Sequence, residues 1–456
     1  MQKDVYGAEP DVVEAAPLPP LAKGQFLLGH ALPLYRRPLQ HMRQLYEIYG
    51  PIYRVRVPGR EFTVLGGIEA NKMLANTGDE FFVSGELFAD FAQEMQTDKF
   101  LIAMDGAEHR VFRKQLRPAH SKYVLASRLQ DVVAITERHV GGWPVGGRIT
   151  VMDAMQRIIT EQIGTVLIGY PPGDYFEDVR IFMNTILRSL VTKTWPRWMI
   201  YRPAYRRAKA RLFRLAQDLV ARYKAMPESE RPSRALVTEL LPYLDETGPQ
   251  RLTEENIISS VVGTYLAGLD TVAGSLSFML YAFLKHGVWE RLVAEAESLL
   301  AEEPLTMDKL RGAKVLHAAV MEAMRMYPVA AFTPRVAARS FVFQGYRVEK
   351  GTHVLIANGL THYLPEFFPN PDRFEIERHL EPRKEYTQAA AFAPFSLGPH
   401  TCLGAGLGEV QMMVTLATIL TRVELALDPP DYVVGQALTP TPSPGFGFKL
   451  RVVRFR

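Results

Sequence analysis

Residues 395–404 read Phe-Ser-Leu-Gly-Pro-His-Thr-Cys-Leu-Gly, and this stretch holds Cys402, the one cysteine of the chain. An amphipathic helix is predicted directly after it, from about 403 to 422. A thiol at the start of a helix faces unpaired N–H groups and the positive end of the helix dipole, and both favour the thiolate. Gly398 and Gly404 would let the backbone pass close to something large and flat. The stretch therefore predicts an anionic sulfur beside a broad ligand.

A lone cysteine also has an ordinary interpretation, because a free thiol most often behaves as a small buried hydrophobe. Phe395 could shield the sulfur from water, however, and a protected anionic sulfur on a crowded loop suits a haem iron. The pattern Phe395-x-x-Gly398-x-x-x-Cys402-x-Gly404 resembles the haem-binding signature of the cytochrome P-450 superfamily of haem-thiolate monooxygenases. The resemblance implies a mainly α, single-domain fold with small β-sheets. It also implies haem b, held between a long central helix and the proximal loop, with Cys402 as the iron ligand.

Composition bounds the class of protein. Of 456 residues, 47% are hydrophobic and 22% charged, so the chain can bury a large core and is not disordered, collagenous or coiled-coil. Lys and Arg number 53 against 49 Asp and Glu, and a net charge of +4 does not suggest a nucleic-acid partner. One cysteine excludes an internal disulfide and a Cys-based zinc or iron–sulfur cluster, and it favours a reducing compartment. We expect a cytoplasmic monomer.

The chain is predicted to consist of a flexible N-terminal lead, residues 1–25, and one domain, residues 26–456. The lead contains no apolar run, so it predicts neither a secretory signal nor a membrane anchor. Its three prolines between 17 and 20 are similar to those of anchored relatives, which leaves open that an upstream segment was removed. Alternating apolar residues predict strands within 53–64 and 341–356, and most of the chain between about 107 and 325 is predicted to be helical.

Residues 257–284 carry a single charge, Asp270, and are long enough to span a bilayer. A carboxylate in mid-span costs about 2.5–3.5 kcal/mol, so the central buried helix of a soluble protein is the better interpretation. Ala267-Gly268-Leu269-Asp270-Thr271 resembles the A-G-x-[DE]-T turn on the central helix of the family. The resemblance implies that Gly268 leaves room for dioxygen, and that Asp270 and Thr271 are the catalytic residues that deliver protons.

Glu322 and Arg325 lie three residues apart on one face of a helix that Pro328 ends. By themselves they predict an ion pair worth a few tenths of a kcal/mol. The resemblance implies a buried structural pair instead, completed by a downstream arginine, for which the candidate is Arg373.

Haem propionates are anionic and need cationic or donor partners. His109 and Arg113, four residues apart on a predicted helix at 107–117, match the family's propionate-binding helix, and Arg335 and His400 match two further donors. Each of these residues alone is more often a solvated surface charge, but together they occur in the family's order. The implied cofactor-binding residues are His109, Arg113, Gly268, Arg335, Phe395, Gly398, His400 and Gly404.

The segments that shape the substrate pocket in the family are apolar and aromatic in this sequence. A terpenoid, steroid or fatty acyl compound would fit such a pocket, although aromatic stripes are usually just core. The candidate lining residues are Phe88, Phe91, Ala267, Val329, Phe332 and Phe446.

These features predict a haem monooxygenase that inserts one atom of its co-substrate dioxygen into an apolar substrate. Two alternatives stay open. A haem-thiolate peroxygenase or isomerase often lacks the acid–alcohol pair of residues 270 and 271, and a haem sensor or carrier would need no proton relay.

The electron donor is expected to be a ferredoxin with its reductase, or a flavodoxin. Arg110, Lys114 and Arg117 fall on one face of the helix at 107–117, and this basic stripe is either a docking site or a solvated face. Seven basic residues between 197 and 214 form either another solvated face or a contact with an anionic membrane.

Overall fold

The computed structural model describes residues 10–301, 304–438 and 441–456. The α-helices are α1 Pro10–Ala15, α2 Ala31–Arg36, α3 Pro38–Tyr49, α4 Ile68–Phe81, α5 Gly85–Glu94, α6 Gly106–Leu116, α7 Lys122–Ala126, α8 Leu129–Gly141, α9 Val151–Ile163, α10 Phe176–Ile186, α11 Pro203–Ala225, α12 Leu236–Leu240, α13 Glu254–Leu269, α14 Thr271–Lys285, α15 Trp289–Leu300, α16 Met307–Gly312, α17 Lys314–Met326 and α18 Ala405–Arg422. The strands are β1 Ile52–Val57, β2 Arg60–Gly66, β3 Phe82–Val83, β4 Arg148–Thr150, β5 Thr333–Ala337, β6 Phe341–Phe343, β7 Tyr346–Val348, β8 His353–Ala357, β9 Val423–Leu427, β10 Ala437–Leu438, β11 Pro442–Ser443 and β12 Lys449–Phe455.

The sheets are small and lie at the edges of a helical body. The largest has five strands in the order β1-β2-β8-β5-β3, with the predicted hairpin of β1 and β2 at its edge. A three-stranded sheet has the order β4-β12-β9, and β6 pairs with β7 and β10 with β11. The predicted fold class, mainly α with small sheets, is confirmed.

Residues 10–25 are not the flexible lead that the sequence predicts. They contain α1, and Ala22 is buried where its N–H donates to the Arg54 carbonyl at 2.9 Å. Arg54 in turn donates its N–H to the Pro20 carbonyl at 2.8 Å, so the segment runs along the edge of β1. Prolines 17, 19 and 20 fit this role, because proline is tolerated at a sheet edge. Residues 1–9 of the predicted lead lie outside the described residues.

The long apolar stretch forms α13 and α14, which meet at Asp270. A capping box starts α13: Thr253 Oγ1 accepts from the Asn256 N–H, and Asn256 Oδ1 accepts from the Thr253 N–H. Helices α9, α10, α11, α17 and α18 pack around the pair. The pair is long and apolar enough to cross a membrane, but 78% of its most apolar window is buried inside the fold, as in the core helix of a soluble protein.

Candidate functional site

The Cys402 loop is held in a tight turn by its own backbone. The Cys402 N–H donates to the Phe395 carbonyl at 2.9 Å, and the N–H and Oγ1 of Thr401 both donate to the Gly398 carbonyl at 3.0 and 2.6 Å. Gly398 has φ +74°, and a Cβ there would lie 2.2 Å from the Leu74 carbonyl oxygen, so no other residue fits this position. The loop therefore presents Cys402 just before α18, which begins at Ala405.

Protonation of the free Cys402 thiol differs from the expectation. The side chain is accessible to solvent, yet the protein atoms around the sulfur raise the pKa of the thiol above its usual value. The Gly404 N–H and the Arg113 charge favour the thiolate, as the sequence suggested, but burial outweighs them. Together these effects raise the pKa of the free thiol, whereas the sequence suggested that it would be lowered. A coordinated metal would deprotonate such a thiol outright.

The Glu322–Arg325 pair is the centre of a fully buried ionic cluster. Arg325 donates to both Glu322 oxygens, from Nε at 2.8 Å and from Nη2 at 2.9 Å. Arg378 Nε donates to Glu322 Oε1 at 3.3 Å, and His379 Nε2 lies 2.9 Å from Oε2. Burial alone would raise the pKa of Glu322, but the hydrogen bonds from Arg325 and His379 lower it to about 2. The cluster therefore favours the ionised form of Glu322.

The third arginine of this cluster is Arg378, and the prediction of Arg373 was wrong. Arg373 is exposed and contributes only its carbonyl, which accepts from Arg325 Nη2 at 3.2 Å. The short turn Ile376–His379 packs on α17 and directs Arg378 and His379 toward Glu322. Spacing alone could not choose between two arginines five positions apart.

His362 joins this cluster to the Cys402 loop, and no local sequence pattern marks it. Arg325 Nη1 donates to the His362 carbonyl at 2.8 Å, and His362 Nδ1 lies 3.2 Å from the Arg325 carbonyl. On the other side of the ring, the Ala393 N–H donates to His362 Nε2 at 2.9 Å, so Nδ1 carries the proton. Burial and the Arg325 charge lower the pKa of His362 to about 3, which keeps this neutral tautomer. This series of hydrogen bonds from Arg325 through His362 ends at Ala393, two residues before Phe395.

A second group of side chains lies on the other side of the loop. Arg113 Nη2 donates to the Thr401 carbonyl at 2.5 Å, which brings α6 against the loop. His109, one turn earlier, stacks on His400 with ring centroids 4.0 Å apart. Arg335 acts electrostatically on His109 as well, so the structure brings all four predicted propionate donors into one neighbourhood.

The donors in this group have few partners of their own. Both ring nitrogens of the buried His109 lack a hydrogen bond within the described part of the chain. Arg335 is 7% exposed, and among the described residues its side chain donates only to the adjacent Pro334 carbonyl. Burial lowers the pKa of Arg335 to about 10. Buried donors without acceptors are costly, so this set fits a bound group that carries carboxylates.

Asp105 lies among these donors, and the sequence reasoning missed it. Its carboxylate accepts from the Ser84 N–H at 2.9 Å and the Gly85 N–H at 2.8 Å, and it lies 3.3 Å from His400 Nε2. Burial would raise the pKa of Asp105, but His400 and these N–H groups lower it to about 2. Its position as the residue before α6 was the signal that could have found it, because acids favour helix starts.

Gly268 does not serve the purpose that the resemblance implied. A Cβ at Gly268 would lie 2.1 Å from Ile163 Cδ1 and 3.2 Å from Ile159 Cγ2, so this glycine faces α9. Ala267 is the exposed small residue instead, and the Thr271 Oγ1 donates to its carbonyl at 2.8 Å. The structure therefore assigns the open side of the central helix to Ala267 and Thr271, and the packed side to Gly268.

Asp270 lies on the packed side as well. It is 2% exposed, and its Oδ1 accepts from Gln156 Nε2 on α9 at 2.7 Å. Burial raises the pKa of Asp270 to about 6, and the Gln156 hydrogen bond and the Arg188 charge oppose that rise. A carboxyl with such a pKa can hold or release a proton near neutral pH.

The predicted pocket residues do not all lie together. Phe88 and Phe91 are buried on α5, and a Cβ at Gly274 would lie 3.6 Å from Val329 Cγ2, which brings Val329 to the central helix one turn after Thr271. Phe332 packs against the core of the five-stranded sheet, and Phe446 is 46% exposed in the loop before β12. Met95, which the sequence also suggested, and Phe100 both lie beside Gly263 of α13, and Phe100 is a lining candidate that the sequence reasoning missed.

Comparison with known proteins agrees with this geometry. Residues 19–445 match the family described as Cytochrome P450. The chain is 27% identical over 409 residues to the cyclooctat-9-en-7-ol 5-monooxygenase of Streptomyces melanosporofaciens, covering 88% of this chain and 87% of that protein. It is 24% identical over 425 residues to the sterol 14alpha-demethylase of Mycolicibacterium vanbaalenii, covering 91% and 92%.

Among solved structures, the haem domain of cytochrome P450DA has the same fold, with a TM-score of 0.83 at 23% identity and coverage of 97% of this chain and 98% of that one. The family match extends over most of the chain and includes the Cys402 loop, the buried Glu322 cluster and the interrupted central helix. The chain therefore belongs to the cytochrome P450 family and is a haem-dependent monooxygenase of the oxidoreductase class.

Proposed function

We propose that this protein hydroxylates or epoxidises an apolar organic substrate, with haem b ligated by Cys402 and with dioxygen as the co-substrate. The observation that carries the proposal is an accessible thiol on a loop that contacts Arg113 and His109, beside buried donors that lack hydrogen-bond partners in the described part of the chain. The same chain contains a central helix that is interrupted at Asp270 and Thr271. When bound, a thiolate-ligated haem supplies the chemistry that activates dioxygen and transfers one of its oxygen atoms.

The side chains of this chain bind and orient the cofactor. Cys402 would ligate the iron, and His109, Arg113, Arg335 and His400 would hold the propionates. Phe395, Gly398 and Gly404 would shape the loop that presents the thiol. The cluster of Glu322, Arg325 and Arg378 fixes this loop through His362, whose carbonyl accepts from Arg325 and whose ring accepts from the Ala393 N–H. The Glu322 cluster and His362 therefore act on the reaction only through the position of this loop.

Thr271 and Asp270 are proposed to move protons. The Thr271 hydroxyl lies on the open side of the helix and can donate a hydrogen bond there once it leaves the Ala267 carbonyl. Asp270 has a pKa of about 6, so it can pick up a proton and pass it on near neutral pH. The presence of this acid–alcohol pair favours a monooxygenase over a peroxygenase, an isomerase or a haem sensor.

The substrate class is proposed to be a terpenoid, steroid or fatty acyl compound. The residues near the open side of α13 and α14 are apolar and include Met95, Phe100, Val329 and Ala267. The printed names of two relatives, a cyclooctat-9-en-7-ol 5-monooxygenase and a sterol 14alpha-demethylase, support a bulky hydrophobic substrate. Electrons are proposed to come from a ferredoxin with its reductase or from a flavodoxin, in the cytoplasm.

The first prediction tests the reaction class with labelled dioxygen. The haem-loaded protein, supplied with a ferredoxin, its reductase and a reduced nicotinamide, is screened against a terpenoid and lipid library. A monooxygenase yields a product whose new oxygen comes from dioxygen rather than from water. Cys402→Ser should yield none and should lose the thiolate-type absorption of the reduced carbon monoxide complex, because the chain has no second cysteine to replace the ligand.

The alternatives give different results in the same assay. A peroxygenase makes product from added peroxide without any donor, and a sensor binds ligands without transferring oxygen. A retained thiolate spectrum in Cys402→Ser would contradict the assignment of the iron ligand.

A further inference from the structure

Helix α9 lies against the point where the central helix is interrupted. Ile159 and Ile163 contact the position of Gly268, and Gln156 lies one turn earlier on the same face. A side chain at position 268 would push α9 away, since even a Cβ would come within 2.1 Å of Ile163 Cδ1. The glycine therefore allows Gln156 to reach the interruption.

Gln156 is a polar side chain beside the apolar Ile159 and Ile163 of α9, and the Thr160 hydroxyl one turn later donates to its carbonyl at 2.7 Å. Gln156 is fully buried, and its Nε2 donates to Asp270 Oδ1 at 2.7 Å. Gln156 Oε1 and Asp270 Oδ2 are both buried and have no hydrogen-bond partner among the described residues. Burying an amide this way is costly compared with a leucine, so packing alone does not explain Gln156.

The chemistry of an amide suits a carboxyl that changes its protonation state. Its N–H group donates to the ionised carboxylate, and its oxygen can accept from the protonated carboxyl. Arg188, on the segment Leu187–Val191, is the one charged group in the described part of the chain that acts electrostatically on Asp270, and it favours the ionised form. Burial favours the protonated form, so the two states are close in free energy.

We propose that Gln156 is a positioning residue for proton delivery, which holds the Asp270 carboxyl on the α9 side of the central helix in either protonation state until the carboxyl turns toward Thr271. This inference rests on the proposed function, in which Asp270 and Thr271 deliver protons. It adds a residue that touches neither substrate nor cofactor and acts through Asp270.

The test is an infrared pH titration of the resting, haem-loaded protein. The carbonyl stretch of protonated Asp270 is assigned by its absence in Asp270→Asn. In Gln156→Leu and in the nearly isosteric Gln156→Met, the donor to the carboxylate is lost, so the midpoint should move to higher pH by about one to two units. Gln162→Leu, which removes another buried glutamine of α9, is the control and should leave the midpoint unchanged.

Turnover supplies a second measurement. Gln156→Leu should bind substrate as the unmodified protein does, but should form less product per reducing equivalent and reach its best ratio at higher pH. An unchanged Asp270 midpoint in both Gln156 variants would overturn the inference. If Asp270→Asn itself left the product ratio unchanged, the proposed function would fail, whereas the titration would still report on the Gln156 contact.

Discussion

Asp270 and Thr271 are neighbours in sequence, but their side chains leave the central helix on different sides. Asp270 is enclosed by α9 and bonded to Gln156, whereas Thr271 lies with Ala267 on the accessible side. A proton held by Asp270 can therefore reach Thr271 only if the carboxyl turns or a water bridges the two. The helix permits such a turn because Asp270 already separates α13 from α14.

The second prediction follows from the position of Thr271 on the accessible side of the helix. Thr271→Ala should bind substrate normally, since only a hydroxyl on the accessible side is removed. Product per reducing equivalent should fall roughly tenfold or more, with the electrons recovered as hydrogen peroxide. Stopped-flow oxidation of the nicotinamide with product and peroxide quantified together measures the ratio. Thr271→Ser keeps the hydroxyl and is the control, and an unchanged ratio in Thr271→Ala would remove Thr271 from the mechanism.

At the scale of elements, the turn Ile376–His379 packs against α17, far from it in sequence. Arg378 is its central residue: besides Glu322, it donates to Glu385 Oε2 at 3.1 Å, to Glu375 Oε2 at 3.2 Å and to the Pro369 carbonyl at 2.7 Å. Removing one member of such a buried ionic network leaves its partners without compensation.

The third prediction compares two arginines of this segment. Arg378→Ala should lower the free energy of unfolding by about 3–5 kcal/mol and yield little haem-loaded protein. Arg373→Ala should stay within about 0.5 kcal/mol, because its side chain is exposed and its carbonyl remains to accept from Arg325. Urea unfolding followed by circular dichroism, together with the haem-to-protein absorbance ratio, measures both effects. Equal losses in the two variants would contradict the assignment of Arg378.

What the sequence could predict depends on whether a residue acts locally or through a distant contact. Cys402 and Gly398 sit in one short pattern, and Glu322 and Arg325 sit in another. Glu322 and Arg325 form a buried ion pair in the structure. The resemblance implied that Gly268 leaves room for dioxygen, but this glycine lies against α9. The sequence does not show which face of the central helix packs on α9. His362 and Gln156 act across more than thirty and one hundred residues respectively, and no local pattern marks either of them.

At the scale of the whole molecule, α6 connects the Cys402 loop to the protein surface. Its inner face carries Arg113, which contacts the Thr401 carbonyl, while Arg110, Lys114 and Arg117 are exposed on its outer face. Arg110 forms an ion pair with Asp79 at 2.9 Å, and Lys114 and Arg117 make no ion pair within the described part of the chain. A donor protein bound to this face would lie one helix away from the thiol.

The fourth prediction is that this outer face binds an acidic donor. Converting Arg110, Lys114 and Arg117 to Glu should slow reduction by the ferredoxin at least tenfold at low salt and flatten its dependence on ionic strength, because attraction between opposite charges raises the rate of encounter. Converting Arg206, Arg207 and Arg214 to Glu is the matched control. It changes the net charge by the same amount on α11, which packs against α10 and α13, and it should leave reduction by the donor unchanged.

Reduction by dithionite and substrate affinity should be the same in both triple variants, since neither depends on a protein partner. Stopped-flow reduction at several salt concentrations separates the possible results. Equal slowing by both variants would mean that the donor senses only the overall charge of the protein, and equal rates in all three proteins would make the face of α6 an ordinary solvated surface. Slowing confined to the α6 variant would place electron entry beside Arg113 and the loop that it holds.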